Sequence, residues 1–307
     1  MYPMGAPGCG DLSVGRIILS GEHMENVQWV RSLLREMKVA PQRLRGQNFL
    51  LDEQVISRIV ASAALGSEDT VIEIGPGLGS MSRLLTDRPG RTILIELEPA
   101  FARRLTDIYA FQPQVQVLEA DAATFPYAAF CQEQEIAHYH VVANLPYQVT
   151  TPILKQLLFQ GGPWQSMTLM LQKEAARRIV RGKGRENGPL TLLTEYFSEG
   201  ELLFDVPPRA FYPAPAVTST VIRLIRRQNP PVQGEIESLY PFIEKAFLQR
   251  RKVLVNSLAG AYGLSREAWV NLLADCGFNP AVRGEELSLA DFDCILSRLK
   301  VVQEENA

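Results

Sequence analysis

Thiols and imidazoles are scarce in this chain, with four cysteines and three histidines in 307 residues. Cys9, Cys131, Cys276 and Cys294 stand far apart, without the paired spacing of a zinc or redox site. So few cysteines at this length exclude a disulfide scaffold, and a reducing cytosol is the simplest setting for them. No histidine is placed to partner a cysteine nucleophile. His138 and His140 lie close together, but no third ligand follows at a suitable spacing, so no metal site is expected. Long apolar runs are missing too. No stretch approaches the roughly 18 residues of a membrane-spanning helix, and Arg16 and Glu22 bracket only the short run from Ile17 to Leu19. The expectation is a soluble, cytoplasmic chain that is not exported, has no membrane partner and works as a monomer. A charge excess is also absent, because 31 Lys and Arg against 34 Asp and Glu leave a net charge of -3. Any nucleic-acid partner must therefore be held by local patches. With 46% hydrophobic and 21% charged residues, the composition excludes disordered, collagenous and coiled-coil chains.

At roughly 150 residues per domain, the length predicts two domains. Residues 1–23 carry Gly5, Pro7, Gly8, Gly10, Gly15 and Gly21 with no sustained period, and are expected to be a disordered or non-native extension. Gly21-Glu22 just before Met24 is also what a translated ribosome-binding sequence ahead of a start codon could encode, so Met1 and Met24 both stand as candidate starts. Val27, Val30, Leu33, Leu34 and Met37 then recur at helical intervals.

After Asp52, helices and strands alternate. Helical periodicity over Val55–Ala63 gives way to apolar strands at Thr70–Ile74, Arg91–Glu96, Val115–Leu118 and His140–Ala143, with helices at Ser80–Leu85 and Pro99–Tyr109 between them. Further apolar segments at Ser166–Leu171, Glu201–Val206 and Ser219–Ile225 complete seven strands. This order predicts a Rossmann-like α/β domain over 24–227, built on a doubly wound parallel sheet with its ligand site at the carboxyl ends of the strands. Residues 228–231 read as a linker. Residues 232–307 carry helical periodicity only, punctuated by Pro241, Gly263 and Pro280, and predict a small all-helical domain.

The first strand ends in Gly75-Pro76-Gly77-Leu78-Gly79, a glycine turn that lets backbone approach a ligand closely. Two readings compete, a dinucleotide fingerprint and an S-adenosylmethionine site. The spacing is not G-x-G-x-x-G, and Pro76 removes an amide that a pyrophosphate would use, which favours the methyl donor. Glu96, about twenty residues on, ends the second strand where a carboxylate can accept from both ribose hydroxyls. Asp121 follows the third strand and can accept from an adenine amino group.

Asn144-Leu145-Pro146-Tyr147 follows the fourth strand directly. An adenine amino nitrogen is a poor nucleophile because its lone pair is delocalised into the ring. The Asn144 side-chain oxygen and the Leu145 carbonyl can accept its two hydrogens and hold the lone pair towards a methyl donor. Pro146 stiffens the turn, and Tyr147 offers a ring on which an extruded base can lie. The bland alternative is an Asx turn closing a loop.

The ordered set of motifs resembles the ribosomal RNA adenine N6,N6-dimethyltransferases, above all their bacterial small-subunit branch. It comprises Gly46-Gln47-Asn48-Phe49-Leu50-Leu51-Asp52, Ile72-Glu73-Ile74-Gly75-Pro76-Gly77-Leu78-Gly79, Asp121-Ala122, Asn144-Leu145-Pro146-Tyr147 and Phe211-Tyr212-Pro213-Ala214-Pro215-Ala216-Val217-Thr218-Ser219. The resemblance runs from about Val39 to the C-terminus. It implies S-adenosyl-L-methionine as cofactor and dimethylation of two adjacent adenines of small-subunit (16S) ribosomal RNA during ribosome biogenesis, with the small subunit as partner. It also implies that Gln47, Asn48 and Leu50 cover the methionine end of the cofactor, that Gly75 and Gly77 back it, and that Glu96 and Asp121 hold its nucleoside. Asn144, Leu145, Pro146 and Tyr147 would handle the target base, with Phe211 as the second face of an aromatic sandwich. The helical domain would be an RNA-docking module.

Two departures concern RNA. The family usually carries lysine where this chain has Ala214 and Ala216, and a basic residue near Val255; around Asn187-Gly188-Pro189-Leu190 it more often has Tyr-Gly-Arg-Leu. Phosphate contacts are expected from Lys173, Arg177, Arg178, Arg181, Lys183 and Arg185, and from the second cluster Arg250, Arg251 and Lys252, against the plain alternative of solvated helix faces. The rival functions are a large-subunit methylase of macrolide-resistance type, whose tetrapeptide usually reads Asn-Ile-Pro-Tyr followed by Ser-Thr-Asp, and a non-catalytic RNA-binding scaffold. Leu145, Thr150-Thr151-Pro152 and the intact Asn144 and Gly75 argue against them.

Overall fold

In the computed structural model the described residues are 27–39, 48–88, 90–249 and 252–305. The expected extension 1–23, the candidate starts Met1 and Met24, Cys9, Gln47, Arg250 and Arg251 lie outside them, and only the backbone of Tyr147 is described.

Helix α1 (Val27–Glu36) buries Val30 and Leu34, as its apolar spacing requires. After the short strand β1 (Phe49–Leu50) comes α2 (Glu53–Ser62), capped by the Asp52 carboxylate, which accepts from the Gln54 and Val55 amides at 3.1 Å each. Then β2 (Thr70–Ile74), α3 (Ser82–Leu85), β3 (Arg91–Glu96), α4 (Pro99–Ile108), β4 (Val115–Glu119), α5 (Tyr127–Glu133) and β5 (Tyr139–Asn144) alternate. They are followed by α6 (Tyr147–Gln160), β6 (Trp164–Gln172), α7 (Lys173–Arg181), α8 (Pro189–Phe197), β7 (Ser198–Val206), β8 (Phe211–Tyr212) and β9 (Ser219–Arg226).

Seven strands form one sheet in the order β4-β3-β2-β5-β6-β9-β7. Its central strands are near-continuous apolar runs because both faces are covered. Ile72, Ile93, Val141 and Leu169 pack on one face with Leu154 and Leu157 of α6. Val71, Val142 and Met170 pack on the other with Ile56 of α2 and Leu85 of α3. The chain travels outward from β2 to β4, then returns to place β5 on the other side of β2. The carboxyl ends of β2 and β5, hydrogen-bonded neighbours with Ile74 opposite Ala143, therefore form the topological switch point where such sheets bind ligands.

The all-parallel sheet expected from the sequence is corrected at one strand. β9 runs antiparallel to both β6 and β7. The connection from Val206 to Ser219 contains no α-helix to carry the chain back across the sheet, so β9 returns directly alongside β7 in the opposite sense.

Beyond β9 come α9 (Ile236–Phe247), α10 (Leu254–Leu258), α11 (Arg266–Asp275) and α12 (Leu289–Glu305), with no strand among the described residues there. Phe242, Trp269 and Phe292 centre their core. The two cores interlock: Leu192 of α8 belongs to the helical cluster, whereas Ile236 and Tyr240 of α9 belong to the sheet's. Lys155 pairs with Glu244 at 2.8 Å, and the Asn187 side-chain amide donates to the Leu287 carbonyl at 2.8 Å. No helix among the described residues is long and apolar enough to cross a membrane.

Candidate active site

The ends of β2, β3, β4, β5 and β6 surround a cavity of about 450 Å³. On its β2 side Gly75, Gly77 and Gly79 have φ of 66°, 56° and 87°, the left-handed region that glycine enters without a Cβ penalty. A Cβ built on Gly75 meets nothing within 4 Å, so it would project into open cavity, whereas one on Gly77 would touch the Phe49 ring at 3.4 Å. The turn thus leaves a cradle that any side chain at 75 would begin to fill.

Glu96, at the end of β3, braces this turn. Its Oε2 accepts the Gly77 amide at 2.9 Å and its Oε1 the Glu98 amide at 2.9 Å. Burial raises its pKa and the backbone hydrogen bonds oppose that rise. Each carboxylate oxygen keeps acceptor capacity beyond its one amide. Asp121, beyond the end of β4, accepts the Ala123 amide at 2.9 Å and lines the same cavity. A glycine cradle, a braced carboxylate and a second carboxylate at successive strand ends fit a nucleoside with vicinal hydroxyls, so the residues present suit S-adenosylmethionine.

The β5 side carries the second half. Asn144 ends that strand, and its Nδ2 donates to the Asn48 carbonyl at 3.2 Å, which leaves Oδ1 as the acceptor on the other side of the amide. The buried Leu145 is held by its amide, which donates to the Met170 carbonyl at 3.1 Å. Pro146, with φ of -59° and ψ of 140°, is the N-cap of α6, so the Leu145 carbonyl lies ahead of the helix's first acceptor. Phe211 is 6% exposed and lines the cavity.

Neither Phe211 nor Asn48 reaches this site through the main sheet. They arrive on a two-stranded ladder that pairs β1 with β8, Phe49 opposite Tyr212 and Leu50 opposite Phe211. The Leu51 amide extends the ladder to the Ala210 carbonyl at 2.8 Å. Phe49 lies against Gly77 and meets Phe101 edge to face at 5.7 Å. From α1, Arg31 Nε donates to the Tyr212 hydroxyl at 2.9 Å. Sequence reasoning missed this ladder, along with Phe49 and Arg31, because no periodicity marks a two-residue strand. It also passed over Glu73, whose charge inside an apolar strand was the available signal. Glu73 is wholly buried, takes a 2.6 Å hydrogen bond from Ser82, and has its carboxyl pushed up to about 8, chiefly by burial.

The expected phosphate-binding residues divide. Lys173 is engaged by Asp205, and Arg178 by Glu174 at 3.0 Å. Arg177, Arg181, Lys183 and Arg185 are exposed along α7 and the turn after it. Lys252, also exposed, belongs to the helical region, where Asp and Glu outnumber Lys and Arg from Val232 onward.

The profile of the family described as ribosomal RNA adenine dimethylase matches residues 42–288. The chain is 36% identical over 277 residues to ribosomal RNA small subunit methyltransferase A of Moorella thermoacetica, covering 88% of this chain and 96% of that protein. The protein of the same name from Streptococcus pneumoniae serotype 2 is 36% identical over 262 residues, 83% of this chain and 90% of that one. Among solved structures, the 23S rRNA methyltransferase ErmE superposes with a TM-score of 0.61 at 27% identity, over 82% of this chain and 100% of that one. A dimethyladenosine transferase from Plasmodium falciparum shares the fold, with a TM-score of 0.67 at 19% identity over 84% of this chain and 98% of that one. The chain belongs to the ribosomal RNA adenine dimethylase family.

Proposed function

We infer that this protein transfers methyl groups from S-adenosyl-L-methionine to the exocyclic amino groups of two adjacent adenines in small-subunit (16S) ribosomal RNA during ribosome biogenesis. The observation that carries the reading is the meeting of two half-sites in one cavity at the β2/β5 switch point, the Glu96-braced glycine turn and the Asn144-Leu145-Pro146-Tyr147 turn. The cofactor supplies an electrophilic methyl group. Asn48 and Leu50, with Gln47 beside them in sequence, cover its methionine end, Gly75 and Gly77 let it lie against backbone, Glu96 accepts from its ribose hydroxyls and Asp121 from its adenine amino group.

On the target side, Asn144 Oδ1 and the Leu145 carbonyl accept the two hydrogens of the adenine amino group and so withdraw its lone pair from the ring. The Asn48 carbonyl fixes the Asn144 amide in the required sense. Pro146 limits the turn's freedom, and Tyr147 and Phe211 receive the two faces of the extruded base. No strong base is needed, since the amino proton can pass to water after transfer. Arg177, Arg181, Lys183 and Arg185 hold the RNA backbone, and the helical domain from Val232 onward walls the docking surface.

The large-subunit reading has the ErmE likeness behind it at 27% identity. The small-subunit reading has relatives at 36% identity over most of both chains and is preferred. Asn144→Ala tests the reading in single-turnover transfer to unmodified small subunits, with both substrates saturating. An interaction that matters most in the transition state lowers turnover more than binding. The expected loss is at least about a hundredfold, roughly 2.7 kcal/mol of barrier, with cofactor affinity retained. Equal rates for the two proteins would remove Asn144 from the chemistry.

A further inference from the structure

The cavity contains a polar side chain that neither half-site uses. Gln172 is the last residue of β6, is exposed, and lines the cavity mouth. Its carboxamide makes no hydrogen bond to any described residue, although nearby Asn144 is bonded and Lys173 and Arg178 are ion-paired. Register fixes where it stands. Met170 of β6 pairs with Asn144 of β5 in a parallel ladder, so Met170 and Asn144 share one face of the sheet. Side chains alternate with a period of two, which puts Gln172 on that same face, roughly 6.6 Å further along the strand direction. On its other side Gln172 pairs with Ser219, another residue of the cavity.

We propose that Gln172 is a specificity-determining residue that reads the ring edge of the target adenine, its side-chain amide donating a hydrogen bond to N1 or N7. This rests on the adenine-methylating function inferred above. Asn144 and Leu145 supply only acceptors, and these engage the amino group. The ring nitrogens on either side of that amino group, N1 and N7, are acceptors and need a donor. A carboxamide one strand over from Asn144, on the same sheet face, provides one. A donor aimed at N1 excludes guanine, which carries a proton there, and a donor aimed at N7 excludes cytosine, which lacks the imidazole ring. Glutamine suits this task because its side-chain amide carries N–H donors for a ring nitrogen, and a site built to hydrogen-bond its substrate rejects analogues that leave the site's polar groups unmatched.

The test uses small subunits reconstituted on ribosomal RNA in which splinted ligation places adenine, 1-deazaadenine or 7-deazaadenine at a target position. Wild type, Gln172→Ala and the shape-preserving Gln172→Met are compared in single-turnover transfer, with cofactor affinity measured in parallel as the check on folding. The wild type is expected to lose about tenfold on one of the two deaza substrates. Both variants should lose about tenfold on adenine and nothing further on that same analogue, which would also name the nitrogen. Variants as fast as wild type on adenine would overturn the proposal, as would variant and analogue losses that multiply. Failure of the underlying function looks different: a wild type that binds cofactor and subunits yet methylates none of the three substrates removes the adenine reading itself, and Gln172's role with it.

Discussion

Glu73 and Glu96 show how the same side chain takes opposite tasks one strand apart. Glu96 accepts two backbone amides, whereas Glu73, wholly buried beneath the glycine turn, accepts from the Ser82 hydroxyl and has Glu96 and Tyr109 as the titratable groups facing it. Burial pushes its carboxyl from 4.5 up to about 8. In the folded protein Glu73 therefore keeps a proton that the unfolded chain releases above about pH 4.5. The stability that this neutral acid permits is fully present below that pH and drains away as pH rises through about 8. Glu73→Gln keeps the shape and an acceptor for Ser82 but cannot ionise. Urea midpoints from pH 5 to 9 should fall more steeply for wild type than for the variant, the gap opening towards the alkaline end. Parallel curves would show that Glu73 does not titrate in this window.

At the scale of elements, the glycine turn joins fold to function, and Gly75→Ala separates its two costs. With φ of 66°, an alanine there meets the left-handed penalty of about 1–2 kcal/mol. Its methyl meets no protein atom within 4 Å, so no packing clash adds to that. The methyl instead occupies the cradle, so the larger effect should fall on S-adenosylmethionine affinity, with at least about a tenfold rise in Kd by calorimetric titration beside the small shift in urea midpoint. An unchanged Kd in the destabilised variant would place the cofactor away from Gly75. Much of this architecture is legible in the sequence. Strands such as Arg91–Glu96 announce themselves because both sheet faces are covered and the centre of the strand, Ile93-Leu94-Ile95, is a continuous apolar run. The place of Glu96 and Asn144 at one cavity is readable because ligand sites in this fold lie at the carboxyl ends of strands. The direction of β9 is not, since an apolar run looks the same in either sense and only the absence of a crossing helix decides it. The β1/β8 ladder is not readable either, because it joins Phe49 to Tyr212 across most of the domain. Gln172 is hidden for a related reason, as its position beside Asn144 depends on the β5/β6 register.

For the molecule as a whole, a net charge of -3 must still accommodate a polyanion, and the distribution of charge explains how. The helical region is more acidic than basic, so it cannot attract RNA by its average field. Its interlocked core, with Leu192 on one side and Tyr240 on the other, instead fixes it against the sheet as a wall. On the function proposed above, attraction would fall to the stretch that begins where β6 ends at the cavity mouth, where Arg177, Arg181, Lys183 and Arg185 are exposed. Asn187 closes that stretch by bonding the Leu287 carbonyl, which ties the basic turn to the helical wall. Lys173 and Arg178 already have carboxylate partners, so they have less charge to offer phosphate. Replacing Arg177, Arg181 and Arg185 together with alanine should therefore weaken binding to unmodified small-subunit RNA and flatten its dependence on salt, by about 0.7–0.9 in slope for each phosphate that is no longer neutralised. Cofactor affinity should not move, because none of the three lines the cavity. An unaltered salt slope would make this face merely solvated and transfer the docking role to the cluster at Arg250, Arg251 and Lys252.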